Sequence, residues 1–579
     1  MNGWIQAGTV EKLREQGPKL VKGGIVVFYH EDEVHALDNR CPHLGFPLHM
    51  GSLCNGILTC HWHHARFDVC SGGTLDPWAD DVPVHDITVH DGEIWVNPNC
   101  RNGNQVQLYK DRLLSGLEQN IGLVIAKAIV GLMEAGVPEK EIVAIGIKFG
   151  VKQRRQGWGS GLTTLTAMAN VLPKLDKQGR ILALYQGLLH TARDSAGSGT
   201  RFLLDPLPNT SVSEERLMEW YRDCIEVRDT RGAERVLLTA VQAGMDEMRL
   251  FSMMSMAATD HFYINGGHTL DFHNKAFESL KYVGDEQFND VLASLVPMFG
   301  SASRSEELHS WQSPVNLVQP LMEAFEELSN TGVSSGVGDS CTDDEELLQA
   351  LLGDDPLRTV HVLKEALLGG ASPVRIAQIA ALAAAERVVR FHTQNDFGDW
   401  IAVLHTFTHA HAVHEGLIRS ADPWLVRGIF HTAATIYLDR FLNIPAAPRP
   451  AVSDAVGEAP QPAELLELLD KQQQVAPAAA WVTRYLRSGG EPEPLFNVLG
   501  HALLREDAEF HSFQMYEAAV AEYDRWASES GPFAEKACET LILAVTRYLA
   551  AHAPTSRETP HTAKIAWRLH RGEKLFEEE

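Results

Sequence analysis

The sequence runs to 579 residues, too long for one hydrophobic core, and its 45% hydrophobic content is that of a folded protein of several domains. A formal charge of -26 disfavours nucleic acid and anionic membrane surfaces as partners and suits a cytoplasmic protein. No stretch approaches about 18 uninterrupted apolar residues, the opening MNGWIQAGTVEKLREQ lacks the layout of a signal peptide, and 8 cysteines are too few for a disulfide scaffold.

The chain begins as β structure. Gly24 to Tyr29, Val34 to Leu37, Ile57 to Thr59 and Glu93 to Val96 are short β-branched or aromatic runs bounded by Gly, Asp and Asn, and Asp91-Gly92 is a hairpin turn. Between them lie Cys41-Pro42-His43-Leu44-Gly45 and Cys60-His61-Trp62-His63-His64-Ala65-Arg66-Phe67-Asp68. Each offers a thiolate and an imidazole two or three residues apart, so together they make a four-ligand metal site. Two chemistries take such a set: structural zinc on Cys2His2, and a 2Fe-2S cluster in which two histidines replace two of the usual cysteines.

The framing residues bear on that choice. The run CPHLGFPL from Cys41 and the run GSLCNGILTCHWHHARFDVCSGG from Gly51 resemble the Rieske family along their whole length, with Phe67-Asp68 and Ser71-Gly72-Gly73 similar to its closing strand and turn. The resemblance covers about the first hundred residues. It implies a 2Fe-2S cluster on Cys41, His43, Cys60 and His63. Rieske proteins of respiratory bc complexes carry an extra cysteine in each loop, where this chain has Phe46 and Trp62, and their hydroxyl to a bridging sulfur falls at Ala65. Fewer hydrogen bonds to the sulfurs mean a lower potential, so the resemblance is to the ferredoxin or oxygenase type. One departure stands out: His61, His63 and His64 crowd one loop where the family commonly has Pro and Gly. The remaining cysteines, Cys54, Cys70, Cys100, Cys224, Cys341 and Cys538, read as free thiols.

After Asn102-Gly103-Asn104 the texture changes to Leu, Ala and Glu-rich segments with apolar spacing of three to four residues, which predicts helix to the end. Two interruptions, Ser329 to Glu346 and Ile444 to Pro462, read as linkers. Across them the sequence echoes itself at a nearly constant offset. Gln186 to Ala192 recurs as Arg427 to Ala433, Leu250 to Ala257 as Leu495 to Ala502, and Ala135 to Pro138 as Gly370 to Pro373. The expected organisation is multidomain: a small all-β Rieske domain over 1–104, then a large all-α body of two related helical domains over 105–330 and 345–579.

The body is rich in histidine, and the repeat places some of it. His190 falls opposite His431, His261 opposite Glu506, and His268 opposite His511 with a small shift. His431, Glu506 and His511 form a two-histidine, one-carboxylate set of the kind that binds non-haem iron, and His190, His261 and His268 form a three-histidine set. A second candidate is denser: His405, His409, His411 and His414 lie in HTFTHAHAVHEGL, where His405 and His409 share a helix face. Against both stands the plain reading of packed or solvent-facing polar helix residues.

No Walker loop, dinucleotide fingerprint, HExxH or GxSxG elbow occurs. The Asp-x-x-His-x4-His iron motif of ring-hydroxylating oxygenases is also missing, since Asp260-His261 and His268 are spaced differently. The histidine-punctuated helices resemble questin-oxidase-like proteins, from which no residue is carried over. The expected function is an iron-dependent oxidoreductase, an oxygenase whose cluster passes electrons from an external reductase or ferredoxin to a histidine-ligated non-haem iron acting on dioxygen and a small organic substrate. The other expectation is an electron carrier or redox sensor whose helical body is a metal-free docking scaffold. A homo-oligomer is compatible with either.

Overall fold

The computed structural model describes residues 3–100, 104–208, 211–331, 343–420, 422–450, 460–573 and 575. Most of the two predicted linkers, the 104/105 boundary residues Asn102-Gly103, and Cys341 lie outside the described residues. A small β module opens the chain and a large helical body follows. Two compact units are distinguished, residues 1–142 with 559–579, and residues 143–558.

The β module holds nine strands: β1 (Ile5–Thr9), β2 (Lys19–Val21), β3 (Ile25–His30), β4 (Glu33–Asp38), β5 (Ser52–Cys54), β6 (Ile57–Thr59), β7 (Arg66–Asp68), β8 (Val84–His90) and β9 (Glu93–Cys100). Six form an antiparallel sheet in the order β1-β9-β8-β4-β3-β2, and three form a second sheet, β5-β6-β7. Alternation along β3, which lies between β4 and the edge strand β2, lets it serve two cores. Val26 and Phe28 point into one core with Leu37, Cys41, Cys60 and Phe67, while Ile25 and Val27 point into another with Ala36, Ile94 and Val96. Three hairpins close on paired left-handed residues, Glu31-Asp32, Asn55-Gly56 and Asp91-Gly92, the backbone that suits the twist of two-residue turns.

Gly72 terminates the second sheet under tight constraint. Its φ is +74°, and a Cβ there would lie 1.9 Å from the Val82 carbonyl oxygen, while Val82 N–H donates to Gly72 O at 2.8 Å. Gly72→Ala must therefore shift backbone rather than a side chain. We expect it to cost about 2–4 kcal/mol, read as a lower urea midpoint at unchanged slope.

Within the second unit four helices form a closed set: Ser160–Asn170 packs on His268–Ser279, that on Phe397–Arg419, that on Phe510–Ala527, and the last on the first. Helices of both proposed copies thus meet in one bundle, and the two-copy division remains a proposal. Asp396 caps the third helix by accepting from Asp399 N–H at 3.1 Å. That helix is buried on nearly every side from Val403 to Leu417, although His409, His411 and His414 are among its buried residues. Fully buried Phe251, Phe277, Phe407 and Trp526 each contribute about 1.5–3 kcal/mol. The same interior holds Asp271, Lys275, His409, His411, His431, Glu517 and Glu522, all nearly inaccessible. Such groups cost several kcal/mol apiece unless paired, and here Lys275 pairs with Glu517, and His411 and His414 with Glu522.

Candidate metal centre

Cys41 and Cys60 stand at the starts of two loops built alike. Cys41 N–H donates to Phe46 O and Gly45 N–H to Cys41 O, both at 2.8 Å; Cys60 N–H donates to Ala65 O at 2.8 Å and His64 N–H to Cys60 O at 3.0 Å. Gly45 and His64 are therefore equivalent positions, and both are left-handed, φ +90° and +63°. Any side chain costs energy in that region, although histidine is found there more often than most. His64→Gly should stabilise the protein by about 0.5–1 kcal/mol in thermal denaturation, with the gain trimmed by the freer unfolded chain.

The loops bring four donor groups together. Cys41 and Cys60 are 2% and 1% exposed, and their thiols share a hydrogen bond that raises Cys41 and lowers Cys60 to about 6. Backbone N–H groups of His43 and Leu44 point at the Cys41 sulfur, and those of Trp62 and His63 at the Cys60 sulfur, an arrangement suited to anionic sulfur. The His43 and His63 rings meet edge to face at 5.0 Å. Burial, then His63 and Lys127, pulls His43 down to about 4, so its imidazole is neutral as a ligand must be, and its buried Nδ1 has no partner. Of the three crowded histidines, His63 is the one facing His43. Lys127 holds the first loop from beneath, donating to Pro42 O at 2.6 Å while pairing with Asp80, which Arg112 also binds. Two sulfurs with N–H donors and two neutral imidazoles fit a 2Fe-2S cluster of mixed ligation.

The Rieske [2Fe-2S] domain family matches residues 3–85. The ferredoxin component of the naphthalene 1,2-dioxygenase/salicylate 5-hydroxylase systems of Ralstonia sp is 30% identical over 90 residues, which cover 15% of this chain and 86% of that protein. The chain belongs to the Rieske family. A Rieske domain-containing protein of Homo sapiens is 33% identical over 91 residues, and the chain spans only 58% of its length. The ferredoxin of carbazole 1,9a-dioxygenase from Nocardioides aromaticivorans IC177 is 29% identical over 17% of this chain and 100% of that one, with a TM-score of 0.16. The Rieske match ends before the helical body begins.

In the body the structure regroups the sequence candidates. His268, His405 and His511 come together from three helices of the bundle, one ligand atom of each lying within 4.8 Å of the others. His405 Nε2 and His511 Nε2 are 2.9 Å apart. Burial, then His268 and His511, depresses His405 to about 2, and burial lowers His268 to about 4. His511 Nδ1 is held by Glu509 at 3.0 Å, the carboxylate backing that orients a metal-binding imidazole. Phe272 and Phe510 flank the rings.

The other candidates go elsewhere. His261 has both nitrogens committed, to Glu306 and Glu226 at 2.7 Å each. Glu506 is bound by Arg557 at 2.7 Å and by the N–H and hydroxyl of Thr555. His190 packs on Phe513, His409 on Tyr263, and His431 on Phe262 and Phe325. Neither set drawn from the repeat is assembled. In a second cluster, Glu278, His411 and Glu517, the sequence candidates include only His411, although Glu517 and Glu522 inside the apolar run FHSFQMYEAAVAEY are a signal.

Proposed function

We propose that the chain is an iron-dependent oxidoreductase, an oxygenase, with a 2Fe-2S cluster on Cys41, His43, Cys60 and His63 and a non-haem iron on His268, His405 and His511. The observation that carries this reading is the convergence of three imidazoles from three helices, His268 and His405 kept neutral by burial and His511 backed by the Glu509 carboxylate. When bound, the cluster supplies single electrons from an external reductase or ferredoxin, and the iron supplies open positions for dioxygen and a small organic substrate. The chain's own part is to keep His43, His268 and His405 unprotonated by burial, to hold the first cluster loop through Lys127, and to orient His511 through Glu509. Among the described residues no helix is long and apolar enough to cross a membrane; the reading includes a cytoplasmic location, supported by the acidic charge.

The likeness of the Rieske domain to a dioxygenase ferredoxin component supports electron transfer by itself, and favours a second reading, a carrier with a metal-free body. Metal analysis of the purified full-length protein separates the two. More than two irons per chain is expected for the oxygenase; a value of two, all in the cluster, would sink it.

A further inference from the structure

Deep in the same bundle, Glu278, His411 and Glu517 also bring ligand atoms within 4.8 Å of one another, and they open onto a cavity of about 640 Å³. His411 is 1% exposed. Its Nδ1 is fixed by Glu522 Oε1 at 2.8 Å, and His414 Nδ1 braces the same carboxylate at 2.9 Å. Its Nε2 has no hydrogen-bond partner and lies 4.0 Å from Glu517 Oε2. An imidazole with one nitrogen locked on a buried carboxylate and the other left bare towards two more is oriented as a metal ligand is, and an entering ion would displace the proton that these carboxylates favour. The space is held by a cation already: Lys275 Nζ lies 3.0 Å from Glu278 and 2.6 Å from Glu517.

We propose that Glu278, His411 and Glu517 form a divalent-cation site, with Glu522 orienting His411 and Lys275 holding the cation's place in the metal-free protein. The site is independent of the three-histidine set and of what that set binds. Two carboxylates and one imidazole favour a borderline ion such as Mn²⁺ or Fe²⁺ over zinc, which prefers nitrogen and sulfur, and over Mg²⁺, which prefers oxygen throughout. The cavity leaves the remaining positions to water or a small oxygen ligand. Lys275 makes occupancy conditional, because an entering ion must drive the ammonium off both carboxylates.

The test uses full-length protein with its cluster in place, treated with EDTA and titrated with Mn²⁺ alone, bound and free ion being distinguished by electron paramagnetic resonance. One Mn²⁺ per chain with the modulation of a single coordinated nitrogen is expected, distinct from any ion with three nitrogens that enters the His268, His405 and His511 set. His411→Ala and Glu522→Gln should each weaken binding by about 10- to 100-fold. Lys275→Met should tighten it about tenfold or more, since a competing charge is gone, and His405→Ala should leave it unchanged. Absence of any Mn²⁺ population with a single coordinated nitrogen, or such a population that persists in His411→Ala, would overturn the proposal. The nitrogen count is read on the wild type, so it decides the matter even where a variant fails to fold. A gain of affinity in Lys275→Met is an outcome that a purely structural salt bridge would not produce.

Discussion

His405→Ala should bring the iron content of the purified protein down to that of the cluster, with the cluster's visible absorbance unchanged. The size of the effect follows from ligand count. A protein metal site is worth on the order of 10 kcal/mol, and removing one of three protein ligands takes away roughly a third, about two orders of magnitude in affinity. The fold should survive, because His405 is only half-buried and its ring meets two other imidazoles rather than the apolar core. Removing it also relieves a crowded site where two ring nitrogens stand 2.9 Å apart. His261→Ala is the informative contrast. That histidine bridges Glu226 and Glu306, so its loss should lower stability through the largely buried Glu306 carboxylate while leaving the iron in place. Iron retained in His405→Ala, or lost in His261→Ala, would contradict the placement of the site.

Cys41→Ser should abolish the cluster signal altogether, in absorbance and in electron paramagnetic resonance of the reduced protein. A serine hydroxyl stays protonated where the Cys41–Cys60 pair readily yields a thiolate, and iron in such clusters is held by thiolate. Cys41 also lies in the core formed by Val26, Phe28, Leu37, Leu58 and Phe67, so losing the metal cross-link should loosen both loops and lower the melting temperature of the β module. The far-UV helical signal should stay, because residues 143–558 form a compact unit of their own. A variant that kept a full cluster spectrum would show that Cys41 is not a ligand.

The β module was legible because its signals are local. The β-branched and aromatic run Gly24 to Tyr29 and the Asp91-Gly92 turn predict β3 and the β8–β9 hairpin, and both are present. The equivalence of the two ligand loops is also visible in the parallel of CPHLG with CHWHH, once Gly45 and His64 are seen to share a left-handed backbone. Among His61, His63 and His64 only spacing picks out His63 as the proposed ligand, and the packing of its ring on His43 supports that proposal.

In the helical body, periodicity says which residues share a face but not which helix that face will meet. His405 and His409 do share one, yet only His405 reaches His268 and His511, while His409 packs on Tyr263. His411, turned well around the same helix, meets Glu517 and Glu522 instead. The sequence alone determines the β module, the helical texture and the thiolate-imidazole loops, since each depends on residues close in the chain. Which imidazoles converge, and that Lys275 stands among carboxylates, is settled only by packing between helices far apart in sequence, where burial rather than spacing selects the neighbours.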